Sequence, residues 1–386
     1  MSVVSAIIGT AERVPLPDVV MRAAIQRLCS RTATRLSKLG ADDAAFAGRM
    51  MLRPIAEDAD AARGRHDEVP ASFFAQVLGP NRKYSCCFYK TDATSLQEAE
   101  EEALRQTVEH AGLADGQAIL ELGCGWGSLS LWMARQFPHA RVTAIATSQA
   151  QRAYVEEEAR LRGLLNLRVV TADMNVFAPE GQFDRIVSVE MFEQMSNWRK
   201  LMTRARSWLT PEGRFFMHVV THRSGSHLLD PADPDDWIAQ HVYTSGLMPS
   251  HHLVRQFDDI FAIEKEWCWS GTHYQRTAND WLANFDAHRD AVEGLWRGGR
   301  SLDASLALVP ARDRRPVRLC RRNRMGRQPL PHEGRRLACM PRPISPVNCP
   351  RTPTSMSPAT DRGPGAAGSH RPLAGARHPC RHRLHR

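Results

Sequence analysis

The sequence predicts an α/β fold built on a doubly wound, Rossmann-like sheet, and two observations carry that expectation. Between Ala118 and Val220, short apolar runs alternate with stretches of helical period, as parallel strands alternate with crossover helices. The first run ends on a glycine-rich turn, Gly123-Cys124-Gly125-Trp126-Gly127. Such a turn lets a strand hand the chain to a helix while its backbone approaches a ligand closely.

The elements follow in chain order. From Pro17 to Leu36, Val20, Ile25, Leu28, Thr32 and Leu36 keep helical spacing while Arg22, Arg27, Arg31 and Arg35 take the other faces. This predicts an amphipathic helix that either packs on the domain with solvated arginines or touches lipid headgroups. Strands are expected at Ala118–Leu122, Arg141–Ala146, Leu167–Thr171, Phe183–Val189 and Gly213–Val220. An insertion rich in Asp, Pro and Trp (Asp230–Trp237) comes next, then a strand near Ile260–Trp269 and a helix from about Ala278. We expect these to cap the site. The expected division is an N-terminal helical and lid segment over 1–100, the sheet domain with its cap over 101–299, and a tail over 300–386.

The formal charge of +9 on 386 residues is unevenly placed. Residues 301–386 hold 18 Arg, no Lys and 4 acidic residues, which leaves 33 basic against 38 acidic residues in 1–300. The body is therefore mildly acidic, and a nucleic-acid partner would rest on the tail alone. Nine Cys without a CxxC pair fit a reducing compartment. With no leader pattern and no apolar run of about 18 residues, the expected location is cytoplasmic, with peripheral membrane contact as the variant. The histidines, His218 and His222 among them, lack the spacing of a metal site, so no metal is expected.

Three polar groups accompany the glycine turn. Glu121 lies near the end of the first strand, where a carboxylate can pair with a ligand cation; Gln151 follows the second strand; Asp173-Met174 follow the third. A dinucleotide site would want an acidic residue after the second strand, and Ala146-Thr147-Ser148-Gln149-Ala150-Gln151 has none. At the fourth strand, Ser188-Val189-Glu190-Met191-Phe192-Glu193-Gln194-Met195 delivers carboxylates to the carboxyl end of the sheet, where open α/β sheets bind ligands.

Together with Val69-Pro70-Ala71-Ser72-Phe73-Phe74 and Lys83-Tyr84-Ser85-Cys86-Cys87-Phe88-Tyr89, these segments resemble the cyclopropane-fatty-acyl-phospholipid synthase and coclaurine N-methyltransferase-like family. The resemblance runs from about Leu16 to Arg289 and implies S-adenosyl-L-methionine (SAM) as cofactor. It implies that Glu121 meets the cofactor's amino group, Gln151 its ribose, Asp173 and Met174 its adenine side, and Tyr84 and Ser85 its methionine end, with Gly123, Gly125 and Gly127 as the turn. The family's fourth-strand segment reads Glu-Met-Phe-Glu-His-Met, so Glu190 and Glu193 match while Gln194 replaces the His. Gln cannot act as a base near neutral pH. His273, in Gly271-Thr272-His273-Tyr274, is the candidate replacement, and Trp237 and Tyr243 are candidate aromatic faces for a cation. The loss of that His, and Ser148-Gln149 where the lipid branch tends to carry a Glu, favour a small amine as methyl acceptor over a phospholipid acyl chain. The oligomeric state is open.

The tail departs from the grammar of the rest. It holds 13 of the 24 Pro and none of the nine Trp. Met325 is encoded by ATG and the Gly326 codon starts with G, so the frame one base later reads TGG, a Trp codon. Continued in both directions, that frame permits a Trp-rich stretch and then Glu-Trp and Ser-His-Tyr-Leu, which resembles the family's closing strand. The expectation is a frameshifted, disordered tail that supplies no strand.

Overall fold

The computed structural model describes residues 18–39, 42–57, 69–230, 239, 246–295 and 318–326. The described residues lie in one compact unit, Met1–Leu330, so the N-terminal helices and the sheet share a core.

Helices α1 (Asp18–Leu39), α2 (Asp43–Met50), α3 (Ala71–Val77) and α4 (Leu96–Ala111) come first. The α/β run follows as β1 (Ala118–Leu122), α5 (Ser128–Gln136), β2 (Arg141–Ala146), α6 (Gln149–Leu161), β3 (Leu167–Thr171), β4 (Phe183–Val189), α7 (Trp198–Trp208) and β5 (Leu209–Thr221). A short ribbon pairs β6 (His227–Leu228) with β7 (Leu247–Met248), and then come β8 (Ala262–Trp269), α8 (Gly271–Ala287), α9 (Arg289–Leu295) and β9 (Arg318–Gly326). The main sheet runs β3-β2-β1-β4-β5-β9-β8. The first five strands are parallel and β9 is antiparallel to both neighbours. Strand order reverses between β1 and β4, which opens a crevice at their carboxyl ends.

Local chemistry accounts for the boundaries. All five residues of β1 are buried, as a strand with both faces covered requires. Ser95 and Glu98 form a capping box at the start of α4, and Gly112 ends it at φ 61°. Ser148 and Asn197 cap α6 and α7. Ser270 accepts from Thr272 N–H and so starts α8 at Gly271, earlier than the expected Ala278. In α1, Leu36 is buried while Arg27, Arg31 and Arg35 are exposed.

Two asparagines fasten the segment after α2 to the carboxyl edge of the sheet. Asn175 Oδ1 accepts from Ile55 N (3.0 Å) and Ala56 N (3.2 Å), and its amide donates to Ala56 O (2.9 Å). Asn197 Nδ2 donates to Arg53 O (2.8 Å), and Ser196 N to Ile55 O (2.7 Å). The N-terminal segment is thereby built into the rim of the crevice.

One expectation is corrected here. The tail does supply a strand: β9 pairs Val219 with Cys320 and Cys268 with Cys320, closing the gap between β5 and β8. The physical reason is local, because Arg318–Gly326 contains no Pro and its backbone can offer every ladder donor. The remainder of the tail, and Trp237 and Tyr243, lie outside the described residues. No helix among the described residues is long and apolar enough to cross a membrane.

Because β9 completes two ladders, ending the chain after Gly299 should abolish cooperative melting. A chain carrying the alternate-frame text from position 301 should melt at higher temperature than the encoded chain, since apolar residues would replace an Arg-rich interior strand. Equal melting curves would show that the encoded segment is an adequate native strand.

Candidate active site

The glycine turn joins β1 to α5 with Gly123, Gly125 and Gly127 at φ 79°, 52° and 77°, a region that side chains avoid. Packing adds to the need at two of them. A Cβ on Gly123 would lie 2.7 Å from Met191 Cγ, and one on Gly127 would lie 2.6 Å from Val155 Cγ2. At Gly125 an added Cβ meets nothing within 4 Å, so this side of the turn opens onto space that a ligand can occupy. Ser128 Oγ at the start of α5 and Trp126 Nε1 in the turn are buried with no hydrogen-bond partner among the described residues. Unmet donors beside a helix N-terminus suit an anionic ligand group.

Glu121 is 2% exposed, and burial pushes its carboxyl up to about 7 although Ser130 donates a hydrogen bond to it. A buried carboxylate without a cation suits a ligand that brings one. Gln151 is buried with its carbonyl taken by Thr147 Oγ1 at 3.2 Å, which leaves its amide N–H groups for a ligand. Asp173 Oδ1 takes both Asn175 N (2.8 Å) and Nδ2 (3.1 Å), so Oδ2 is the oxygen left over. Met174 is buried, and Arg204 fixes its loop by donating to Met174 O at 2.6 Å and Asn175 O at 2.9 Å. These residues fit the methionine amine, ribose and adenine ends of SAM.

The Lys83–Tyr89 segment reaches Glu190 directly and the glycine turn through Phe74. Tyr84 packs its ring on Phe74 (5.2 Å) and Trp281 (5.6 Å), and Phe74 packs at a tilt on Trp126 (4.8 Å). Ser85 is buried. Cys86 N–H donates to Glu190 Oε1 at 3.0 Å.

Glu190 leaves β4 at φ 51°, a conformation costing about 1–3 kcal/mol in a non-glycine residue. Its backbone N–H bonds His218 O at 2.8 Å, and Cys86 holds the side chain. Glu193 is 5% exposed. Val220 N–H donates to its Oε1 at 2.5 Å, whereas Oε2 is buried with no partner among the described residues. Burial, and next the charge of Glu190, push Glu193 up to about 8. Gln194 is half-buried, and its side chain makes no hydrogen bond among the described residues. His273 stacks on Phe88 (4.3 Å), and its Nδ1 accepts Tyr89 N–H at 3.2 Å, which assigns its proton to Nε2.

His218 belongs to this constellation although its spacing argued only against a metal. It is buried in β5 with Nε2 3.9 Å from Glu190 Oε1 and its ring edge-to-face with Trp269 at 5.2 Å. The signal that could have found it is the strand order, because β5 lies beside β4 and brings His218 next to the residue that follows β4. The backbone donors of Cys86 and Val220 have no side-chain signature to find.

The model of the mycolic acid cyclopropane synthetase family matches residues 56–298. (S)-coclaurine N-methyltransferase of Thalictrum flavum subsp. glaucum is 35% identical over 244 residues, which cover 63% of this chain and 68% of that enzyme. Cyclopropane-fatty-acyl-phospholipid synthase of Escherichia coli (strain K12) is 29% identical over 222 residues, 57% of this chain and 55% of that one. A crystal structure of coclaurine N-methyltransferase bound to N-methylheliamine and S-adenosylhomocysteine superposes with a TM-score of 0.76 at 27% identity, over 84% of this chain and all of that one. The chain belongs to the mycolic acid cyclopropane synthetase family and is a SAM-dependent methyltransferase.

Two outcomes follow for cofactor binding. Gly125→Val should weaken SAM at least about tenfold in calorimetry while the protein stays folded by circular dichroism; unchanged affinity would remove the turn from the site. Glu121 in the free protein holds its proton below about 7; the role that the family resemblance implies, pairing with the cofactor's ammonium, requires its loss, so affinity should fall as pH drops through that value. Glu121→Gln should flatten this dependence.

Proposed function

We propose that this chain transfers a methyl group from SAM to the nitrogen of a small amine. The observation that carries the reading is Glu193, whose carboxylate is anchored through one oxygen while the other is buried with no partner among the described residues. Such an oxygen can accept a hydrogen bond from an ammonium and then its proton. The high proton affinity of Glu193, near 8, matches the removal of a proton from an amine better than an ordinary carboxylate would. Glu190, strained and clamped by Cys86 N–H, supplies the second negative charge that holds the cation. The relatives named for coclaurine N-methylation support the acceptor class.

When bound, SAM supplies an electrophilic methyl group on a sulfonium. The protein's part is to bind the protonated amine between Glu190 and Glu193, to move one proton from nitrogen to Glu193 Oε2, and to aim the freed lone pair in line with the methyl carbon. A nitrogen–carbon bond then forms as the sulfur–carbon bond breaks. Gln194 contributes an amide and no base, and His273 serves to hold the segment around Tyr89.

Glu193→Gln should lower kcat/KM for an accepted amine about 100-fold while SAM affinity stays within about twofold. In the parent protein kcat/KM should rise with pH as the free enzyme's Glu193 loses its proton near 8, and the variant should lack that limb. Gln194→His should raise activity or widen the active pH range by restoring a titratable group. A labelled-methyl assay over small amines and phospholipid vesicles measures all three. Transfer to acyl chains and none to amines would assign the lipid reaction instead.

A further inference from the structure

Lys83 is 3% exposed, and its ammonium is bonded within the segment whose Cys86 N–H holds Glu190. Nζ donates to Ser85 Oγ at 2.5 Å and to Cys86 O at 2.7 Å. A buried ammonium is retained only where its protons are met. Glu100, fully buried, supplies opposite charge to the same turn; its carboxylate accepts from Asn81 N at 2.8 Å and Lys83 N at 3.2 Å. Two features go beyond charge pairing. A serine oxygen that accepts from an ammonium keeps its own proton free to donate. The ammonium's other bond fixes Cys86, whose N–H holds Glu190.

We propose that Lys83 is a positioning residue that sets Ser85 as a hydrogen-bond donor toward the carboxylate end of SAM. Its bond to Cys86 O holds the adjoining backbone, so the same side chain keeps Cys86 N–H on Glu190. The placement supports this: Tyr84, next to Ser85, packs through Phe74 onto Trp126 of the glycine turn. Ser85 therefore lies in the wall between the cofactor turn and the acceptor carboxylates. The inference rests on the assignment of Ser85 to the cofactor. It separates the work of Lys83 from that of Glu100, which serves the turn's fold.

The test is a double-mutant cycle read by calorimetry with SAM and by steady-state kinetics. Lys83→Met and Ser85→Ala should each weaken SAM about tenfold, and the double variant no further, because each removes the same oriented hydroxyl. Lys83→Met should also lower kcat, whereas Ser85→Ala should act mainly on the KM for SAM. Since Lys83→Met strands Glu100, a Lys83→Met/Glu100→Gln variant removes both buried charges; it should melt close to the parent and still bind SAM as weakly as Lys83→Met. Parent-like SAM affinity in that variant, or additive losses in the cycle, would overturn the role of Lys83. If Ser85→Ala alone binds SAM normally, the cofactor assignment of Ser85 fails first. If Ser85→Ala weakens binding and Lys83→Met does not, only the inference about Lys83 fails.

Discussion

The site depends on holding two carboxylates close together at the carboxyl end of β4, out of water. Like charges in a low-dielectric pocket repel, and burial disfavours each. The protein meets this with backbone donors brought from distant segments: Cys86 N–H to Glu190 and Val220 N–H to Glu193. One oxygen of Glu193 remains unmet. That deficit is what a cationic acceptor would fill, and in the proposed reaction it makes Glu193 a proton acceptor once the group has ionised, as pH rises through about 8.

The remaining architecture serves this arrangement. The doubly wound order puts β1 and β4 side by side, so the glycine turn and Glu190 open on one crevice, with Met191 packed close against Gly123. β5 contributes His218 and Val220 from the neighbouring strand. Asn175 and Asn197 then draw the chain after α2 over the rim, and Lys83 and Glu100 hold the 81–86 turn that carries Cys86. Strain at Glu190 is tolerable because its backbone and side chain are both tied down.

Much of this is legible in the amino-acid sequence. The apolar runs of β1 to β4 coincide with the observed strands because parallel strands covered on both faces are short and mostly apolar. Glu121, the three glycines, Gln151 and Asp173 stand out by residue type at the ends of those runs. What escapes is set by tertiary pairing. His218 has no signal beyond its failure to match a metal site until β5 is placed beside β4, and the burial of Lys83 depends on contacts with Ser85 and Cys86 that its residue type does not announce. The tail carries the opposite lesson. Its Pro content and missing periodicity hide a nine-residue window, Arg318–Gly326, whose backbone can still complete a ladder.

The central claim is that the unpaired Glu193 oxygen receives the acceptor nitrogen. The most direct measurement is a crystal structure of the protein with S-adenosylhomocysteine and a small amine that it methylates. The account predicts the amine nitrogen at about 3 Å from Glu193 Oε2, with Glu190 on the other side of the cation. An amine bound elsewhere, with Glu193 Oε2 still unpaired, would contradict it.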